Sequence, residues 1–476
     1  MQLREAVREL MRSGVGRSGV ALLALLCLGA AYVLITFPLD YGDQQWSNPT
    51  RWADFPKAAP PAWTNRLRAR PLAAHRILEA TAPTDTQALA SGIVQTFRLP
   101  FDYPYTSPPT FLALALEDVT FAERAPAILV SLARPDGVEV RLFRHAVRGP
   151  REGEAAPYRR YADEPLRVQL STDENVVAAV QAFLESEHNI RTDARALGGQ
   201  VDRILFGAPT GQGLETEPLT GRYEVLVRVA VRDADDGVGL VRFVVGGAVF
   251  GVMGTDSLGR DLAQGLLFGL PVALLIGMAV ALVSTSIGTT LGILSGYLGG
   301  RADLLIQRAA DVVANVPVLP LLIFMLFVIG PSLYVILFVL VAFSWPGMAI
   351  QVRTMILHMR TGQLVEAIQS LGASRRRVMF RHILPQIAPY VLANLIFAAP
   401  AAILAEAGLS FLGLGDPSIP TWGQILESGF RTGGIYVGYW WWIIPPGVLI
   451  VVTGLTFMLI SLGLEPVVNP RLRRIR

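Results

Sequence analysis

Charge is scarce in this sequence. Only 17% of its 476 residues are charged, while 52% are hydrophobic; soluble domains carry roughly a quarter charged residues. Mean hydropathy is +0.44. That composition excludes an ordinary soluble globular chain and points to lipid. Lysine is nearly missing, with Lys57 in "DFPKAAP" the only one. A phosphate-cradling G-x-x-x-x-G-K-[ST] loop needs a Gly-Lys pair, so nucleotide binding by that route is excluded. Cysteine is reduced to Cys27, inside an apolar run. A disulfide within the chain is therefore impossible, and cysteine usage says nothing of the redox compartment. The net charge of +3 is slight, and no basic tract interleaved with aromatics occurs, so no nucleic-acid partner is expected.

What is abundant is apolar sequence in long runs. "MQLREAVRELMRSGVGRSG" holds four arginines and precedes "VALLALLCLGAAYVLITFP" (20–38). The run is longer than a signal-peptide core, lacks a small-x-small cleavage site, and has the length a spanning helix needs. A lipid anchor at Cys27 does not fit either, with bulky Leu26 before it and apolar residues after. The reading is a cytoplasmic segment over 1–18 and an uncleaved first transmembrane helix over 19–38. Five further spans are expected near 266–296, 309–330, 333–357, 387–409 and 442–464. Arginines cluster in alternate connections: Arg301 and Arg308, then Arg353, Arg360, Arg375, Arg376, Arg377 and Arg381, then Arg471, Arg473, Arg474 and Arg476. Six spans with both termini in the cytoplasm put all of these on the cytoplasmic side and everything between the first two spans outside.

Residues 39–250 differ in character. "AILVSLARPDGVEVRLFRHAV" reads as strand, Pro-Asp-Gly turn and strand, and "RYEVLVRVAVRDADDGVGLVRFVVGG" repeats that hairpin logic. "DENVVAAVQAFLESEH" carries the cap and the 3.6-residue spacing of one amphipathic helix. A β-rich extracytoplasmic insert is expected, ahead of a permease core over 251–476. "DADDG" lacks the twelve-residue pattern and terminal Glu of a calcium loop, so it reads as a solvated turn.

Ionisable residues are few within the spans. Asp311, Glu406 and Glu465 lie near span ends; Glu406 is the deepest, suited to capping or pairing within a bundle as much as to proton relay. Pro317, Pro320, Pro346, Pro400, Pro445 and Pro446 fall in or beside spans, as in bundles whose neighbouring helices tolerate kinks.

One interruption stands out. "EAIQSLGASRRRVMFRHILP" (366–385) puts a carboxylate, a glycine, four arginines and a proline between two apolar segments. Glu366, Ala367 and Leu371 fit a short helix; Gly372 permits a φ > 0 turn; Ser374 caps a second helix over 375–383, with Val378, Phe380 and Ile383 docking and the arginines outward. Pro385 suits a first helical turn. The simpler alternative is a solvated, positive-inside loop.

The Glu-Ala pair, a glycine six residues after the glutamate, and "HILP" resemble the EAA loop of ABC-transporter permeases, most nearly the DppC/OppC type of peptide importers. "GTDSLGRD" (254–261), "GILSGYLGGRADLLIQRAADVVANVP" (292–317) and "EAGLSFLGLGDPSIPTWGQIL" (406–426) are similar to further segments of that family, in the same order. The resemblance covers about 1–38 and 250–476. It implies a type I importer fold of six transmembrane helices, alternating access, and a location in a prokaryotic cytoplasmic membrane. It implies as partners membrane lipid, a second homologous permease, two cytoplasmic ATPase subunits that carry ATP and magnesium, and an extracytoplasmic solute-binding protein. No cofactor or metal and no catalysis are expected in this chain. The coupling loop spans 358–386, with Glu366, Ala367, Gly372, Ala373, Ser374, Arg376, His382 and Pro385 carrying the coupling; Ile368 stands where the family has a small residue. Gly254, Asp256, Arg260, Asp261, Glu406 and Trp422 are implied in gating or an external loop. On residues alone, Asp256 reads as a helix cap, Arg260 as a headgroup anchor and Trp422 as an interfacial tryptophan. A membrane-anchored sensor acting through its insert, and a gradient-driven transporter, are the competing classes. Six spans count against the first and sparse ionisable groups against the second.

Overall fold

The computed structural model describes residues 8, 10–90, 92–211 and 213–468. The arginines at 471, 473, 474 and 476, and Arg4 of the amino-terminal arginine segment, lie outside the described residues. The chain divides into two compact units, one of residues 1–48 with 262–476 and one of residues 49–261.

The first unit is helical. Its elements are α1 (Gly14–Thr36), α2 (Leu262–Leu298), α3 (Gly300–Asn315), α4 (Val318–Ile329), α5 (Leu333–Arg360), α6 (Gln363–Ser370), α7 (Arg375–Leu414), α8 (Trp422–Arg431) and α9 (Trp440–Val468). Among the described residues five helices, α1, α2, α5, α7 and α9, are long and apolar enough to cross a membrane, and the α3–α4 pair makes a sixth crossing only if its two halves count as one.

That pair corrects the expectation of a single span over 309–330, because α3 and α4 meet at 76°. The cause is local. Pro317 holds the residue before it out of the helical region, and Val316 is extended at ψ 126°. Asp311, placed near the end of that span, lies on α3 and faces Arg308 at 3.8 Å.

Packing within the bundle rests on glycines spaced four apart. Gly288, Gly292 and Gly296 of α2 lie against α5 so closely that a Cβ would sit 2.7–2.9 Å from the Trp345, Ala349 and Arg353 carbonyls. Small residues at this spacing let apolar helices approach where lipid supplies no hydrophobic drive. Against this seam, Ile293, Met348, Val352 and Ile356 join Val365, Val378, Met379 and Ile383 in one buried cluster.

The second unit is a β-sandwich with one main helix. One antiparallel sheet runs β1 (Arg76–Ala80), β12 (Gly237–Val245), β4 (Leu112–Phe121), β7 (Tyr158–Arg160), with β8 (Leu166–Gln169) also on β4. The other runs β2 (Asp85–Leu89), β3 (Gly92–Tyr103), β11 (Gly221–Val231), β5 (Ala127–Ala133), β6 (Glu139–Ala146). The strands β9 (Gly207–Pro209) and β10 (Thr216–Pro218) pair separately. Alternate residues of both sheets, among them Phe97, Leu114, Leu116, Val227 and Phe243, close one core, as period-two burial requires.

The β5–β6 hairpin forms as its turn residues predict. The second expected hairpin does not. β11 and β12 are consecutive but belong to different sheets, β11 pairing with β3 and β5 and β12 with β4 and β1. Asp236 turns the chain between them. It is buried, accepts from Ala122 N at 2.8 Å and Asp233 N at 3.1 Å, and its carbonyl takes Gln95 Nε2 at 2.8 Å. "DADDG" is thus a corner between sheets and not a hairpin turn, with Asp233, Ala234 and Asp235 exposed to solvent as expected and Asp236 buried. No cluster of metal-ligating side chains occurs among the described residues.

The helix Glu174–His188 starts where Asp173 accepts from Asn175 and Val176 N–H groups, and it buries Val176, Val180, Phe183 and Leu184 on one face. Asp202 and His75 are among the titratable groups of this unit that burial displaces. Desolvation lifts Asp202 to about 6, although Ser171 Oγ donates to it at 2.7 Å. Desolvation lowers His75 to about 4 beside the rings of Phe55 and Phe250.

Candidate coupling site

α5 ends at Arg360, and Gly362 precedes α6. Val365 is buried in the cluster with Ile356 and Ile383, which seats α6 on the base of the bundle. Glu366 and Ala367 fall on the opposite face and are exposed. After α6 the chain reverses in a Schellman cap. Gly372, at φ 79°, donates to Gln369 O at 2.9 Å, and Ala373 N donates to Ile368 O at 3.3 Å. Ile368 and Ala373, the apolar pair of that cap, pack on the same buried cluster. A glycine is required at Gly372 by backbone conformation alone, since a Cβ there would meet nothing within 4 Å.

Ser374 then caps the next helix, its Oγ accepting from Arg377 N at 3.4 Å. Val378 and Ile383 are fully buried, but Phe380 is 40% exposed, so Phe380 does not dock as expected. Nor is there a separate second helix. From Arg375 the chain continues through one π-helical stretch, Val378–Ile383, into the long apolar helix as α7. Pro385 falls in the first turn of the α-helical stretch Leu384–Leu409, as expected, and does not interrupt α7. A proline lacks a donor and crowds the carbonyl four residues back, and a widened π turn in the residues before it removes both problems. His382 is half-buried and its carbonyl accepts Gln386 Nε2 at 2.9 Å. Ser374, Arg376, Arg377, Phe380 and Arg381 line a shallow basic depression of about 420 Å³. The exposed surface of this region thus pairs Glu366, Ala367 and Leu371 with an arginine-lined hollow.

Sequence reasoning missed what holds this surface. Asp303 of α3 receives Arg353 of α5 through Nε and Nη2, both at 2.6 Å, and also binds Ser295 of α2. Gln307 donates to Ser295 Oγ at 3.0 Å. Gln369 of α6 donates to Tyr297 OH at 3.0 Å, and Arg360 reaches Gly296 O at 3.3 Å. Arg353 and Arg360 read as topological charge in the sequence; their partners lie 50 and 64 residues away, beyond any local pattern.

The second group of expected residues is divided between the two units. Gly254, Asp256, Arg260 and Asp261 are in the β-rich unit. Asp256 is buried and caps no helix. Its Oδ1 accepts from Leu258 N and Arg260 N, both at 2.9 Å, and its Oδ2 from Arg260 Nε at 2.5 Å. Arg260 is therefore spent within the turn that Gly254, at φ 73°, begins and the Thr255–Asp261 bridge closes. Glu406 and Trp422 are in the helical unit. Glu406 is 2% exposed and accepts from Ser410 Oγ at 2.7 Å. Trp422 is not interfacial: it is 2% exposed and donates to Leu266 O at 2.9 Å. Two glycines of this stretch do allow close approach, since a Cβ on Gly423 would lie 2.5 Å from Ala407 O and one on Gly415 2.5 Å from Ser410 Oγ, while one on Gly413 would meet nothing within 4 Å.

The chain is similar to several known proteins. The dipeptide transport system permease protein DppC of Bacillus subtilis (strain 168) is 34% identical over 222 residues, 46% of this chain and 69% of the relative. The oligopeptide transport system permease protein OppC of the same organism is also 34% identical over 222 residues, covering 72% of its length. Among solved structures, the inward-facing MetNI methionine ABC transporter aligns over 44% of this chain and 97% of its own, with 21% identity and a TM-score of 0.36. The profile of the binding-protein-dependent transport system inner membrane component matches residues 288–474, which contain α5 to α9 and the exposed loop between α5 and α7. With these relatives and this profile, the chain belongs to the family of binding-protein-dependent transport system inner membrane components.

Proposed function

We propose that this chain is the permease subunit of an ATP-driven importer that moves peptides or similar small solutes across the cytoplasmic membrane. The observation that carries the reading is the loop between α5 and α7. Glu366, Ala367 and Leu371 are exposed beside an arginine-lined hollow, on a backbone fixed from below by the Schellman cap and the buried cluster. A surface that is rigid yet open, between two long apolar helices, is suited to receive a soluble ATPase subunit. Kinship with the dipeptide and oligopeptide permeases favours peptide cargo.

In this reading the chain does no chemistry. A second permease completes the path, two ATPase subunits dock at the loops, and an extracytoplasmic solute-binding protein delivers cargo, with the β-rich unit outside the membrane. ATP binding shifts 366–385, and α5 and α7, which flank that segment, move with it between inward- and outward-open states, a shift in populations of two arrangements. Co-expression with candidate ATPase subunits and reconstitution in vesicles tests the assignment. ATP-dependent uptake of a labelled peptide is expected. Purification without an ATPase, together with uptake driven by a proton or sodium gradient, overturns it.

A further inference from the structure

Within the helical unit, α2, α5 and α7 enclose a groove of about 330 Å³. Its polar lining comes from Ser284 and Thr285 of α2, Ser344 and Gln351 of α5 and Asn394 of α7, and no ionisable side chain lines it. Ser344, Gly347, Met348 and Gln351 follow the i, i+3, i+4, i+7 spacing of one helix face, and Ser344 and Gln351 are exposed.

Carboxamides at membrane depth are costly against lipid, so such groups face a bundle interior or a water-filled cavity. The two serine hydroxyls are bonded within their own helices: Ser284 Oγ donates to Val280 O at 2.6 Å and Ser344 Oγ to Leu340 O at 2.5 Å. The two carboxamides are different. Each is held at one end by Tyr390, whose carbonyl accepts Asn394 Nδ2 at 3.1 Å and whose hydroxyl donates to Gln351 Oε1. This fixes both side chains and leaves Asn394 Oδ1, an acceptor, and Gln351 Nε2, a donor, without a bond to any described residue.

We infer that this groove is where the chain touches its cargo, and that Gln351 and Asn394 read backbone peptide groups, Asn394 Oδ1 taking an N–H and Gln351 Nε2 giving to a C=O. The inference rests on the permease reading above. It follows from the chemistry of the lining. An acceptor and a donor are complementary to one amide unit, while a charged terminus or side chain would find no counter-charge in the wall. The size suits a short peptide segment, since ligand sites run from roughly 300 Å³ upward. Discrimination between side chains is expected to be weak, because hydroxyls, glycine and alanines offer them no specific partner.

The test uses the assembled transporter in vesicles, with Cys27 first replaced by serine so that introduced cysteines are unique. Ser344→Cys and Asn394→Cys are exposed to a water-soluble, membrane-impermeant thiol reagent from either side. Phe338→Cys on α5, where the side chain is 63% exposed, serves as the lipid-facing control. Labelling of the two groove positions, slowed by tri-alanine, with Phe338→Cys unreactive, is the expected result. Absence of labelling from both sides overturns the groove as an aqueous path. Labelling that tri-alanine leaves unchanged overturns it as a peptide site.

Uptake kinetics supply the second readout. Asn394→Leu should raise the KM for tri-alanine about fivefold, the value of one hydrogen bond, while kcat and binding-protein-stimulated ATP hydrolysis stay unchanged. For tri-alanine methylated at its backbone nitrogens, which has lost its N–H groups, the variant and the parent should not differ. An equal KM increase for both peptides, or none for either, refutes amide recognition. If the assembled parent transporter takes up no peptide with ATP while the Ser344→Cys and Asn394→Cys variants still label, the permease assignment has failed and not the aqueous groove.

Discussion

Gly372 allows the coupling proposal to be tested through backbone geometry alone. Its φ is 79° and an added Cβ would find open space, so substitution costs conformational energy and no packing. Alanine in the left-handed region is disfavoured by roughly 1–2 kcal/mol, which lowers the population of the native turn by about five- to thirtyfold where the loop has an alternative. Asparagine tolerates that region and should cost only a fraction of this. Proline cannot reach it, being locked near φ −65°, and it also removes the N–H that binds Gln369 O at 2.9 Å. The expected order of retained ATPase stimulation and uptake is Gly, Asn, Ala, Pro. Glu366 and Ala367 lie on one side of the cap and the arginine hollow on the other, so losing the cap separates the two halves of the surface. Both activities should be measured in the reconstituted transporter, with the amount of chain inserted in the membrane as the control. Normal coupling in Gly372→Pro with normal insertion would refute the reasoning, as would an asparagine variant no better than proline.

Other outcomes follow from the same geometry. Asp303→Asn removes the charge from a doubly hydrogen-bonded, partly buried pair with Arg353, and should lower stability by roughly 1–3 kcal/mol, read as a fall in the unfolding temperature of the purified chain. Gly423→Ala places a Cβ 2.5 Å from Ala407 O, so α8 must shift and stability should fall by about 1–3 kcal/mol; unchanged melting would show that the approach is looser than described. The β-rich unit carries two opposed pH dependences. Asp202, raised to about 6, lends stability that is full below about pH 4 and is lost as pH rises through about 6. His75, lowered to about 4, lends stability that is full above about pH 6.5 and is lost as pH falls through about 4. Asp202→Asn should therefore leave a protein that weakens steadily on acidification across that window, and His75→Phe one that weakens as pH rises. Thermal unfolding at a series of pH values separates them, and parallel profiles in the two variants would contradict the assignment.

Local features were readable from the sequence, and pairings across long distances were not. The cap at Asp173, the β5–β6 turn, the glycine at Gly372 and the cap at Ser374 are each set by a few neighbouring residues, and each forms as its residue types dictate. β11 and β12 looked like a hairpin because alternation marks strands without naming their partners; their true neighbours lie on β3, β5, β4 and β1. Pro317 was visible as a kink, but the 76° turn depends on Val316 being extended as well. Pro385 sits in the first turn of the α-helical stretch Leu384–Leu409, as its residue type predicts, but the preceding π turn that joins this stretch to Arg375 is not written in residue type. For the coupling site, the exposed residues were legible through motif and the supports were not. Asp303 with Arg353, and Tyr297 with Gln369, are side chains brought together by helix packing.

The continuity of α7 has a mechanical consequence. Arg376 borders the basic hollow and Glu406 lies near the other end of the same helix. At a rise of 1.5 Å per residue the two are about 45 Å apart. A stiff beam of that length turns a tilt of about 5° at one end into a sideways sweep of about 4 Å at the other. No chain of intermediate contacts is needed to carry the motion. α3 and α4, jointed at 76°, cannot work in this way, and a push on α3 stays where it is applied. Within this unit α7 is thus a rod and the α3–α4 pair an elbow. The π turn at Val378–Ile383 is the place on the rod where stiffening or softening would change how far the remote end moves.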